Sequence, residues 1–155
     1  DSDQVSEGRV SAVSEVHEMS QDVVQAFYTK LVSDQTSDSF YDRVSGRIYE
    51  LEGPTNAALP LAVFSLISSP YADTFDSSSI KDYTFQVDIY GRKRAGMSAA
   101  GAINTALFSL LDRQTITVPN NDDGLVRCLI QGVRTVEDDA VRIRSEWIVQ
   151  TGLLA

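Results

Sequence analysis

GRIYELEGPTNAALPLAVFSLI, residues 46–67, and KDYTFQVDIYGRKRAGMSAAGAINTALFSLL, residues 81–111, carry the strand and helix signals around which the rest of the chain is arranged. The second stretch opens with strict alternation. Tyr83, Phe85, Val87 and Ile89 fall on one side of an extended chain, and Thr84, Gln86, Asp88 and Tyr90 on the other. That is the period-two pattern of a half-buried strand over 81–90. Gly91-Arg92-Lys93-Arg94 closes it, and the period then changes. Over 95–111, Ala99, Ile103, Ala106, Leu107, Leu110 and Leu111 supply an apolar helical face, while Ala100, Gly101 and Ala102 let the backbone approach its neighbour. A strand followed at once by a packed helix is a common unit of α+β and α/β domains. In the first stretch, Arg47-Ile48-Tyr49 reads as a short strand and Gly53-Pro54 as a turn. Pro60 precedes LAVFSLIS, where its missing N–H removes no ladder bond. Leu61, Val63, Ser65 and Ile67 lie on one face of that strand and Ala62, Phe64 and Leu66 on the other. Both faces are largely apolar, so a strand covered on both sides is expected.

Working outward, residues 68–80 form a Ser/Asp-rich loop and residues 112–124 a second loop with a brief extended piece at Ile116–Val118. The end of the chain reads as a long hairpin: 125–136, a tip at 137–140, and a return over 141–150. Val126, Cys128 and Ile130 share a face, but Gly132 and Val133 upset the order, which predicts a bulge near Gly132. On the returning strand Val141, Ile143, Ser145, Trp147 and Val149 share one face, and Arg142, Arg144, Glu146 and Ile148 the other. Toward the N-terminus a helix lies within 13–33, carried by Val16, Met19, Val23, Val24, Phe27 and Leu31. Two starts fit it: near Val13, or near Gln21 with Ser20 as cap. Residues 34–45 are a polar connector with Phe40, Tyr41 and Val44 tucked in, and residues 1–12 read as a frayed arm. The expectation is one α+β domain over 20–150, between an acidic lead at 1–19 and a short tail at 151–155. Its sheet is mainly antiparallel or mixed, of four to five strands, with two helices packed on one face and a C-terminal β-hairpin.

The chain has 155 residues, enough to bury a sizeable core, and 43% hydrophobic with 23% charged residues is ordinary for a folded domain. The net charge of −9 is concentrated at the front, where residues 1–45 hold nine acids against three bases. An acidic chain is poorly suited to grip a phosphate backbone, although it could line a channel through which DNA passes. The N-terminal stretch lacks the hydrophobic segment of a signal peptide, no segment is apolar enough to span a bilayer, and folding in a cytoplasm is expected.

Residues that could carry chemistry are few. Cys128 is the only cysteine, so no intrachain disulfide or thiol-rich metal site forms, and its apolar setting reads as core. His17 is the only histidine and lies on an acid-flanked polar segment, which reads as solvated. Asp82 and Asp88 share a strand face but stand ~20 Å apart by strand rise, too far for paired-carboxylate work. Asn120, Asn121, Asp122 and Asp123 lack the alternate spacing and terminal Glu of a calcium loop, so they read as turn residues. Neither GxGxxG nor GxxxxGK[ST] occurs. No catalytic residue, cofactor or metal site is expected, and function is expected on the surfaces of a non-catalytic scaffold.

The order of these elements resembles a known family. A short G-R-I-Y strand (Gly46–Tyr49), a Pro-led apolar strand (Leu59–Phe64) and an FQVDIY strand (Phe85–Tyr90) leading into a small-residue helix resemble the tail-completion, or tail-terminator, proteins of long-tailed double-stranded DNA bacteriophages. The likeness covers roughly residues 20–150, with a longer acidic lead and a more generous 112–124 loop than the pattern calls for. What the resemblance implies is a structural virion protein of the tail and neck, assembled in the host cytoplasm. Such a protein forms a homo-oligomeric, hexameric ring. One face caps the tail tube protein and stops elongation, and the other joins the head-tail connector or stopper. DNA passes through the lumen without sequence-specific binding. Another neck component, an adaptor or stopper, is the nearest alternative, and a small-ligand-binding α+β protein a more distant one. Candidate interface residues come from expected exposure: Asp73 and Asp76 in the 68–80 loop, Arg92, Lys93 and Arg94 at the strand-to-helix turn, Asp122 and Asp123 in the 112–124 loop, Glu137, Asp138 and Asp139 at the hairpin tip, and Arg142 and Arg144 on the last strand. For the basic turn, a solvated turn and an interface fit equally well; for Arg142 and Arg144, ordinary solvation is the simpler account and a subunit contact the other.

Overall fold

Alternation along five segments, plus one short bridge, builds a six-stranded sheet: β1 (Ile48–Glu50), β2 (Leu61–Ser68), β3 (Lys81–Arg92), β4 (Thr115–Ile116), β5 (Gly124–Val136) and β6 (Ala140–Thr151). The computed structural model describes residues 20–70, 80–119, 123–137 and 139–152. The strand order is β1-β2-β3-β6-β5-β4. Only β1 and β2 run parallel; every other neighbouring pair is antiparallel. Among the described residues three helices accompany the sheet: α1 through 20–31, the single turn α2 (Phe40–Arg43) and α3 (Gly96–Leu111), which follows a 3₁₀ turn at Lys93–Ala95.

The core lies on one face of the sheet. Tyr83, Phe85, Val87 and Ile89 are buried there, as the alternation requires, beside Ala62, Phe64, Ile143, Trp147 and Val149. From α1, Phe27 stacks on Phe85 with ring centroids 4.1 Å apart and planes 8° from parallel, and it also meets Phe64 at 5.8 Å. From α3, Phe108 tilts over Trp147 at 5.6 Å. Both helices therefore cover the same face. Ser145 points into this core and is fully buried; it accepts the Trp147 indole N–H at 2.8 Å and donates to the Val87 carbonyl, so the buried hydroxyl is satisfied.

Gly46, the first residue of the GRIY segment, has φ +72°, and an added Cβ would stand 2.9 Å from the Tyr41 hydroxyl. Both the backbone conformation and the close approach call for glycine. Two arginines then secure the turn before β2: Arg47 donates to the Pro60 carbonyl at 2.8 Å and Arg92 to the Leu59 carbonyl at 3.0 Å.

Several expectations are corrected. The sheet has six strands rather than four to five, because Thr115–Ile116 pairs with the start of β5. Among the described residues helices cover only one face of β2: Ala62 and Phe64 are buried there, while on the other face Leu61, beside Gly53, is buried, Val63 and Ser65 are half-buried and Ile67 is exposed. Apolar side chains on both faces mark two-sided burial only when a second layer is present, and none is present among the described residues. Ser20 is already helical, so it does not cap a helix starting at Gln21; the start near Val13 lies outside the described residues. The connector 34–45 contains α2, with Ser39 as its cap accepting from the Asp42 N–H, and Phe40 and Val44 are buried as expected. In α3 the buried positions are Ala100, Ile103, Leu107 and Leu111; Ala99 is exposed and Ala106 and Leu110 are half-buried, because the helix is turned so that Ala100 abuts Gly91. The expected bulge near Gly132 is present, and a second irregularity lies between Cys128 and Ile130. The shift between Cys128 and Ile130 turns Ile130 away from the face of Val126 and Cys128, to lie opposite Glu146.

Candidate functional site

The register sorts the candidate surfaces into two ends of the sheet. Arg92 lies opposite Ala140, so the basic Arg92–Arg94 turn and the acidic hairpin tip share one end. At the other end Lys81 and Gly124 both stand opposite Thr151, so the connections ending at 80 and 123 converge there. Loops far apart in sequence thus form two groups separated by the length of β3 and β6. Asp73, Asp76, Asp122 and Asp138 lie outside the described residues. Lys93, Arg94, Asp123 and Asp139 are exposed, as their loop positions require.

The remaining candidates are engaged within the chain. Arg92 holds the Leu59 carbonyl, and Arg142 pairs with Glu137 at 3.3 Å across the hairpin tip. The Nε of Arg142 is buried with no hydrogen-bond partner. Arg144 meets Asp88 through two bonds, Nε to Oδ1 at 2.8 Å and Nη2 to Oδ2 at 3.2 Å. Gln86 donates a further, longer bond to the same carboxylate at 3.4 Å. Asp88 is only 6% exposed although it lies on the face that no described helix covers. The bond to Asp88 pushes the Arg144 guanidinium further up, so it carries its charge throughout the working pH range. Asp88 is the residue that sequence reasoning missed: the alternation assigns it to the polar face, but only the β3–β6 register places Arg144 opposite it.

No reaction centre emerges among the described residues. An open cleft of about 450 Å³ between the 30–40 segment and α3 is bordered by Lys30, Asp34, Phe40 and Gln114. Its Asp34 carboxylate accepts from the Thr36 hydroxyl at 2.6 Å and N–H at 3.1 Å, which holds it below the usual carboxylate range and spends it on a turn. Cys128 is half-buried, and burial, with Asp112 nearby, pushes its thiol up, away from the reactive thiolate. No group of three or more His, Cys, Asp or Glu among the described residues could hold a metal ion, and no described helix is long and apolar enough to cross a membrane.

A sheet with α1 and α3 on one face and two loop-bearing ends defines a small α+β scaffold, and solved structures share it. A chain of the virion of a native gene transfer agent particle superposes with a TM-score of 0.63 at 19% identity, over 82% of this chain and 92% of that chain. A second solved chain matches with a TM-score of 0.56 at 18% identity, over 85% of this chain and 96% of its own length. At these identities the likeness is one of fold. No curated protein sequence matches. The family described as tail completion protein gp17 matches residues 25–147, and the chain belongs to that family. It is a structural protein of the phage tail.

Proposed function

We propose that this chain is a tail terminator: a non-catalytic subunit of a hexameric ring that caps the tail tube, halts its elongation and joins it to the head connector. Membership of the tail completion family over 25–147 carries the reading. The two ends of the sheet fit a part that must meet a different neighbour on each side. In this reading one end, the Arg92–Arg94 turn with the Glu137–Asp139 tip, faces one neighbouring ring, and the end near Lys81, Gly124 and Thr151 faces the other. Six copies would carry about 6 × −9 = −54 charges. Such a ring repels a DNA backbone, so DNA slides through its lumen instead of adhering.

Tail tube protein polymerised with and without this chain tests the proposal. The expected result, in electron micrographs, is shorter tubes bearing ring-shaped density at one end. Tubes of unchanged length with bare ends would sink it.

A further inference from the structure

We propose that the β-sheet runs on from one copy of this chain into the next, with the free edge of β5 set against the β1 edge of the neighbouring copy, head to tail. This rests on the ring reading and adds which surfaces meet.

The two sheet edges are unequal and complementary. At one edge β4 covers β5 only at Gly124 and Leu125, and the chain at Arg113 and Gln114 reaches Val126; among the described residues no strand lies outside β5 beyond that point. Residues Val133–Val136, beyond the bulges, pair without interruption with β6 on their inner side. At the other edge β1 has three residues and covers only Ala62 to Phe64 of β2. Of the eight exposed large hydrophobics among the described residues, six belong to these two edges: Leu129, Ile130, Val133 and Val136 at one, Leu51 and Ile67 at the other. Leu51 is 72% exposed and Val136 62%. An apolar edge left open this way invites another chain.

Charge selects the occupant. From Gly124 to Val136 the chain carries Arg127 and Arg134 and no acid. From Ile48 to Ser68 it carries Glu50 and Glu52 and no base. Two β5 edges brought together would set arginines against arginines, which cross-strand pairing disfavours. The β5 edge of one copy against the β1 edge of another sets bases against acids. Sidedness agrees as well. Arg134 stands opposite Ile143, and Glu50 is level with Phe64, both of them core residues, so Arg134 and Glu50 lie on the helix-covered side of their edges. Val133 stands opposite Arg144, and Tyr49 is level with Val63, so both lie on the uncovered side. A sheet passing through the contact keeps each side in line; β5 and β1 run antiparallel, so a register that brings Arg134 to Glu50 brings Thr135, which stands opposite Arg142, to Tyr49. Two different patches in contact make a heterologous interface, which closes into a ring when the rotation permits.

The test is a charge swap in the full chain, followed by sedimentation in free solution and, if the parent is monomeric there, on tail-tube ends. Arg134→Glu alone, and Glu50→Arg with Glu52→Arg alone, are each expected to raise the concentration of half-association at least about tenfold. Mixed one to one, the two variants are expected to regain the parent's value, because alternating subunits restore opposite charges at every contact. Thermal melts matching the parent show that the variants fold. A mixture no better than either variant overturns the proposal. A photo-cross-linker at position 133 supplies a second readout, expected to join residues 48–68 of another copy. Cross-links to another β5, or to any other surface, in particles of ring size overturn the edge contact and leave the ring reading standing. A chain that is monomeric at every concentration and absent from tube ends takes the ring reading down with it.

Discussion

Asp88 shows how much a single register position can decide. It is a carboxylate in a strand whose sequence alternates cleanly, yet it is buried by its pairing with Arg144, whose side chain remains 38% exposed. Replacing Asp88 with Asn removes the charge and weakens two bonds. After discounting for the exposure of Arg144, a loss of about 1–2 kcal/mol is expected in urea unfolding. Tyr83 provides a pH handle. Burial pushes its phenol above the usual 10.0, so ionisation is harder in the folded chain than in the unfolded one. Its contribution is therefore complete below about pH 10 and is lost as pH rises through the folded value. Tyr83→Phe has no phenol to ionise, so unfolding midpoints tracked into the alkaline range are expected to fall less steeply than the parent's. Gly132 is a packing constraint. A Cβ there would stand 2.9 Å from Ile143 Cγ2 and 3.2 Å from Asn104 Nδ2, the amide that donates to the Gln131 carbonyl. Gly132→Ala is expected to cost about 1–3 kcal/mol, read as a lowered melting temperature.

Among the elements, α1 is attached to the sheet through its aromatic face, with Phe27 fully buried between Phe64 and Phe85. Phe27→Ala is expected to destabilise by about 3–5 kcal/mol in denaturant titration; a loss under about 1 kcal/mol would mean that α1 is dispensable to the core. The strands β3 and β6 and the body of α3 were legible because each has one periodic face and lies against a continuous partner. The phase of α3 was not: its run of small residues offers several nearly equal faces, and the contact of Ala100 with Gly91 selects one. The far half of β5 was misread for a related reason. Each bulge adds one residue and reverses the facing of the residues beyond it, and local sequence marks only the break at Gly132.

On the scale of the whole molecule, charge and topology act together. With a net charge of −9, the purified chain is expected not to retain duplex DNA on filters at about 0.1 M salt. Retention that weakens steeply with added salt would contradict a lumen through which DNA slides. The strand order β1-β2-β3-β6-β5-β4 places the N-terminal and C-terminal halves of the chain at opposite sheet edges, and the hairpin connections place the candidate loops at two opposite ends. In the proposed ring, the two edges would meet like subunits and the two ends unlike neighbours.

From its sequence alone the chain determined its α+β class, its alternating core strands, the long C-terminal hairpin and its likeness to the tail completion family, because these depend on local periodicity and on the order of short motifs. Only the tertiary structure decided which face of the sheet α1 and α3 cover, that Asp88 and Arg144 meet, and which candidate charges are spent inside the chain. Those outcomes depend on strand register and layer count, which join residues dozens of positions apart, and no local pattern specifies them.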